Sequence, residues 1–69
     1  MEDLTIRIGG KYRCIDDRGN ERVRTVEAID RQEYIPPEDR KVRYTDDRFK
    51  EYGSLYVRTF RRQVVEVLG

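Results

Sequence analysis

Lys11-Tyr12-Arg13-Cys14-Ile15-Asp16-Asp17-Arg18-Gly19-Asn20-Glu21-Arg22-Val23-Arg24-Thr25-Val26 is the stretch on which the fold turns. Its first run alternates polar and apolar side chains, with Tyr12 and Cys14 on one side, as in a strand with one buried face. Its middle, Asp16 to Asn20, collects residues that bond back to their own backbone or tolerate positive φ, which is hairpin chemistry. The second run continues from Glu21 to about Asp30. Within it Val23, Thr25 and Ile29 share one parity and Val26 and Ala28 the other, so we expect a bulge near Arg24 to Val26 that switches faces and turns most of them inward.

Upstream, Leu4, Ile6 and Ile8 alternate with Thr5 and Arg7, an expected strand stopped by Gly9-Gly10. Downstream, Gln32 to Ile35 reads as a short strand ended by Pro36-Pro37, which cannot sit inside a ladder. Lys41 to Thr45 is a strand with Val42 and Tyr44 inward, and Asp46 to Gly53 a loop or single helical turn. The last segment is two-sided. Val57, Phe60, Val64, Val67 and Leu68 fall at helical spacing, whereas valine at 64, 65 and 67 favours a strand. We expect a brief strand at Ser54 to Tyr56, then a helix from about Val57 to Leu68 that packs Phe60 and Val64 on one end of the core. Residues 1–69 thus form one mainly β domain, a small barrel of about five short antiparallel strands with a short C-terminal helix.

Composition narrows the function. A chain of 69 residues buries only roughly 60% of its unfolded surface, which leaves little interior for a substrate cleft. It is 36% hydrophobic and 42% charged, yet 15 Lys and Arg against 14 Asp and Glu give a net charge of only +1. Such charge density with mean hydropathy −0.95 leans toward disorder, but seven Val, five Ile, five Tyr and two Phe favour folding. No histidine is present, which removes the commonest general base and metal ligand. The single cysteine, Cys14, can make neither an intrachain disulfide nor a cysteine-rich zinc site, and it reads as a buried structural thiol. No apolar run is long enough for a transmembrane helix, and Met1-Glu2-Asp3 is acidic where a secretory signal would be basic. The expectation is a reduced, cytoplasmic protein that is not an enzyme and carries no cofactor or metal.

Asp16-Asp17-Arg18, Glu38-Asp39-Arg40 and Asp46-Asp47-Arg48 repeat one pattern, two carboxylates and an arginine. None has the alternate oxygen ligands and closing glutamate of a calcium loop, so they read as solvated turns with local ion pairing. The basic residues are more pointed, because twelve of the fifteen are arginine, whose planar fork suits phosphates, carboxylates and aromatic faces. Arg22, Arg24, Arg43, Arg58, Arg61 and Arg62, with Tyr44 and Tyr56, form one candidate partner-binding face if the fold brings them together, leaving an acidic rim in the turns. Tyr34, Tyr52 and Tyr56 flank turns and are candidate anchors. Arginine and tyrosine are enriched where proteins grip proteins, and they also make single-strand nucleic-acid platforms. A net charge near zero favours the first.

Several elements together resemble the small uncharacterised phage- and prophage-encoded proteins with a Src-homology-3-like barrel. They are Gly10-Lys11-Tyr12 entering a strand, the turn Asp17-Arg18-Gly19-Asn20, Arg22-Val23-Arg24-Thr25-Val26, Val42-Arg43-Tyr44, and Ser54-Leu55-Tyr56-Val57-Arg58-Thr59-Phe60 before a short closing helix. The resemblance covers most of the chain, with Asp46 to Gly53 as a departure. It implies a barrel fold and a mobile-element origin, and no functional residues. The expected function is a non-enzymatic protein-binding module or small inhibitor acting on a host protein, the alternative being a nucleic-acid-binding barrel with an Arg/Tyr face. Exposed barrel edges leave a homodimer open as a source of additional core.

Overall fold

The computed structural model describes residues 6–69. Five strands, β1 (Lys11–Ile15), β2 (Glu21–Ile29), β3 (Lys41–Asp46), β4 (Glu51–Tyr56) and β5 (Val64–Val67), form one antiparallel sheet in the order β4-β3-β2-β1-β5. A short helix, α1 (Val57–Gln63), carries the chain from one edge strand to the other, and a 3-10 turn at Pro37–Asp39 precedes β3. The sheet is not closed on itself; β4 and β5 remain its two edges.

The first hairpin forms as its residues dictate. Asp16 Oδ1 accepts from the backbone N–H groups of Arg18 and Asn20, and the Gly19 N–H donates to the Asp16 carbonyl. Gly19 sits at φ 84°, a conformation that costs glycine little and other residues more. Tyr12 and Cys14 point inward and are fully buried, as the alternation requires.

Along β2 the bulge occurs later than expected. Val26 pairs with Tyr44 and Ala28 with Arg43, so Glu27 is the inserted residue. Before it the inward set is Arg22, Arg24 and Val26, opposite Cys14, Tyr12 and Tyr44 through the ladders; after it Ile29 turns inward and Ala28 outward. The inward parity therefore belongs to two arginines and a valine, and Val23 and Thr25 lie on the other face. Hydrophobicity misplaces the bulge because the buried Arg24 and the half-buried Arg22 are stabilised by contacts that only the tertiary structure supplies.

Three further segments differ from expectation. Leu4 and Thr5 lie outside the described residues, and Ile6 to Gly9 form no strand; the Gly10 N–H donates to the Arg7 carbonyl across a turn. Residues 32–35 are a turn, closed by the Ile35 N–H on the Gln32 carbonyl. Asp46 to Gly53 is mostly a hairpin: β3 extends through Asp46, whose Oδ1 accepts from the Arg48 and Phe49 N–H groups, and β4 starts at Glu51.

The C-terminal segment is both alternatives in succession. α1 ends at Gln63, and Val64–Val67 pair antiparallel with β1, Arg13 opposite Glu66 and Cys14 opposite Val64, with Val65 bulged out. The β-branched run takes the strand once the β1 edge is available to pair with it. α1 covers the inner face of the sheet. Phe60, with no exposed surface, packs edge-on to Tyr12 at 5.6 Å and tilted to Tyr44 at 5.9 Å, and Val57, Val26, Val42 and Cys14 complete the buried cluster. Gly53 is glycine because the Tyr44 ring lies over it; a Cβ there would meet Tyr44 Oη at 2.6 Å.

Candidate functional site

The structure divides the eight sequence-predicted site residues into three groups. Arg22 and Arg24 lie on the inner face. Arg24 is 6% exposed, its Nη1 donates to Gln63 Oε1 at 2.7 Å, and its guanidinium stacks 4.5 Å from the Tyr44 ring. Arg22 reaches Asp16 at 3.4 Å and Asp46 at 3.7 Å and stacks 4.9 Å over Phe49. The two arginines share a small polar depression, ≈ 170 Å³, with Asp16, Asp46 and Glu51, so three carboxylates outnumber two guanidiniums there. Tyr44 also belongs to this inner layer, packed against Phe60.

Arg58, Arg61 and Arg62 are on α1, and each is paired with an acidic turn residue: Arg58 with Asp39, Arg61 with Glu38, and Arg62 with Asp17 at 3.1 Å. The acidic residues are thus not a rim apart from a basic face. They lie against the helix and neutralise it, because the 3-10 turn and the first hairpin pack beside α1. Asp16 and Asp47 are similarly engaged. Backbone N–H donation by Asn20 and Arg18, with Arg22 nearby, holds the Asp16 carboxyl below the usual carboxylate range. Hydrogen bonds from Lys11 at 2.7 Å and Thr25 at 2.7 Å do the same for Asp47.

Arg43 and Tyr56 remain, and the register explains what surrounds them. In the β3–β4 ladder Lys41 faces Tyr56, Arg43 faces Ser54 and Thr45 faces Tyr52, all on the outer side of the sheet. Tyr52 is 83% exposed and Tyr56 50%, with the Lys41 ammonium 5.6 Å from the Tyr56 ring centre. Arg43 has neither an ion pair nor a hydrogen bond among the described residues, in contrast to the α1 arginines. It stands between two small side chains, Ala28 on β2 and Ser54 on β4. Depressions of ≈ 410 and ≈ 280 Å³ open on its two sides, bounded by Asp30 and Lys41 on one and by Glu27 and Tyr52 on the other. Lys41 and Tyr52 therefore belong to the site. Tyr52 was a candidate anchor from its place beside a turn; its period-two spacing with Ser54 and Tyr56, which sets it on this face, was hidden while Asp46 to Gly53 read as a loop, and Lys41 joins only through its register opposite Tyr56.

Comparison with known proteins found no matching family model, no matching curated protein and no matching solved structure. The site stands on its own geometry. Tyr34, the other candidate anchor, lies in the 32–35 turn, 82% exposed, with its hydroxyl donating to Gln32 Oε1 at 3.0 Å. Cys14 is free and buried, and burial pushes its thiol pKa up, which opposes thiolate chemistry. Among the described residues no helix is long and apolar enough to cross a membrane.

Proposed function

We propose that this chain is a non-enzymatic protein-binding domain whose contact surface is the outer face of β3 and β4. One observation carries the reading: Arg43, unpaired among the described residues, stands over small neighbours and is flanked along the adjacent strand by two exposed tyrosines, Tyr52 and Tyr56. Tyrosine offers a large stiff area at low entropic cost and arginine a forked donor, the two residue types that dominate binding hot spots. Exposed aromatics beside an unpaired cation on an ordered sheet favour a contact made without refolding.

The architecture belongs to the proposal. A Src-homology-3-like barrel opened between β4 and β5, with α1 bridging the gap, accounts for the strand order and for the burial of Phe60. The resemblance on which that barrel was expected extends the proposal to a phage- or prophage-derived protein acting on a host protein in the cytoplasm, where a lone free cysteine is at ease.

The test is retention of partners by the wild-type chain against an Arg43→Ala/Tyr52→Ala/Tyr56→Ala variant. Partners held at about 150 mM salt by the first and lost by the second support the reading; identical profiles reject it. Nucleic acid is the second reading, favoured by the same exposed tyrosines beside Lys41 and Arg43, which match a stacking platform. The pairing of Arg58, Arg61 and Arg62 with carboxylates weighs against it. Binding of a labelled single-stranded oligonucleotide at about 50 mM salt that falls steeply as salt rises would favour it over a protein partner.

A further inference from the structure

The β3–β4 ladder determines which backbone groups β4 presents to solvent. The Val57 N–H donates to the Arg40 carbonyl at 2.7 Å, and that pair continues the register running from Lys41 opposite Tyr56 to Asp46 opposite Glu51. Opposed residues in an antiparallel pair alternate between hydrogen-bonded and non-hydrogen-bonded positions. Glu51, Gly53 and Leu55 therefore turn their N–H and C=O groups toward β3. Tyr52, Ser54 and Tyr56 turn theirs to the side where no strand lies among the described residues. The residues that present side chains on the outer face are thus the same ones that present backbone groups at the free edge.

An open strand edge is a template for another strand, and natural proteins protect it with charges, proline or a covering element. On the outer face the side chains of β4 are two tyrosines and a serine, none of them charged; Glu51, the charged residue of the strand, lies on the inner face opposite Asp46. Ser54 is the low point of the row. Beyond it Arg43 lies in register, with no carboxylate in ion-pair contact among the described residues. A strand added beside β4 would lie two strand spacings, about 9.6 Å, from the backbone of β3. An extended arginine and an aspartate or glutamate close that distance from both sides across a serine.

We propose that the free edge of β4 takes an extended segment of a partner protein as an additional strand. In it an acidic side chain lies opposite Ser54 and pairs with Arg43, and apolar or aromatic side chains two residues to either side pack on Tyr52 and Tyr56. The inference rests on the protein-binding reading and gives it a mode, strand addition, in which main-chain bonds supply affinity and alternate side chains supply specificity. A second copy of this chain fits poorly. An antiparallel β4–β4 pair centred on Ser54 would bring two Arg43 guanidiniums toward each other with no carboxylate between them.

Randomised nine-residue peptides selected on the folded chain at about 150 mM salt, then titrated individually as labelled synthetic peptides, test the proposal. We expect enrichment of Asp or Glu flanked at two residues on either side by apolar or aromatic residues. Arg43→Glu should weaken these peptides at least tenfold and shift selection toward a central Lys or Arg. Ser54→Pro, which removes one edge donor at a position where proline is tolerated, should abolish binding; if that variant fails to fold, protection of the Ser54 amide from hydrogen exchange on peptide binding replaces it. Peptides without a central acid, insensitivity to Arg43→Glu, or an unprotected Ser54 amide would overturn the inference, as would a concentration-dependent dimer that Tyr52→Ala dissociates. Partners lost on the Tyr52→Ala/Tyr56→Ala double substitution without these signatures would reject strand addition and leave the β3–β4 face standing. Insensitivity of all partners to that double substitution would reject both.

Discussion

Arg24 is the residue at which simple reasoning from hydrophobicity fails, and its neighbours explain why it is tolerated. Its guanidinium is buried, stacked on Tyr44 and bonded to Gln63, while Nε has no hydrogen-bond partner among the described residues. Removing one partner of a buried pair leaves the other desolvated, at a cost of about 1–3 kcal/mol, whereas replacing both by apolar groups of similar shape is close to neutral. Arg24→Met should therefore destabilise the chain by about 1–3 kcal/mol, and Arg24→Met/Gln63→Leu should recover most of that loss in urea unfolding; a double variant no more stable than Arg24→Met would show that the polar pair itself holds the fold. Cys14 lies beside this pair. Its buried thiol should resist alkylation at pH 8 in the native chain and react at once in denaturant.

At the scale of the element, α1 is held by two unequal sets of contacts. Outside, three arginines pair with Asp39, Glu38 and Asp17, each exposed pair contributing roughly 0–1 kcal/mol and weakened by salt. Inside, Phe60 fills the space between Tyr12 and Tyr44. Phe60→Ala should cost about 3–5 kcal/mol, a large part of the roughly 3–10 kcal/mol that a 69-residue domain commands, so the variant should be largely unfolded by circular dichroism. Arg62→Ala should change stability by less than about 1 kcal/mol. Equal effects of the two would mean that the ion pairs, and not the ring, seat the helix. The end of α1 illustrates how local preference and context share a segment: helical spacing holds to Gln63, and the valines after it leave the helix because β1 offers a ladder.

At the scale of the whole molecule, the near balance of charge is a network of pairings between segments distant in sequence. Lys11 meets Asp47, Arg13 meets Glu66 and Glu21, and the helix arginines meet two separate turns. Asp16 and Asp47 have folded pKa values below their unfolded ones, so the stability they contribute is present above about pH 3.9 and is lost as pH falls through their folded values. The thermal midpoint should therefore fall steeply below about pH 4, and Asp47→Asn should lower stability at neutral pH while flattening that acid limb. A parallel downward shift with an unchanged acid slope would remove Asp47 from the account. Raising NaCl to about 1 M should lower the midpoint modestly at pH 7, since exposed pairs are screened over about 3 Å.

The β class, the first hairpin, the inward Tyr12 and Cys14, the strand at Val42 and Tyr44, and the Phe60 anchor were legible in the residues alone, because each follows from alternation, turn chemistry or volume within a few positions. The rest follows from contacts between segments far apart in sequence. The bulge at Glu27 depends on contacts that stabilise Arg24 and Arg22 on the inner face. The pairing of α1 with the acidic turns depends on segments up to 45 residues apart meeting. Arg43, Tyr52 and Tyr56 become a site because register sets them on one face and places their strand at an edge, and register belongs to the sheet, not to any one stretch of sequence.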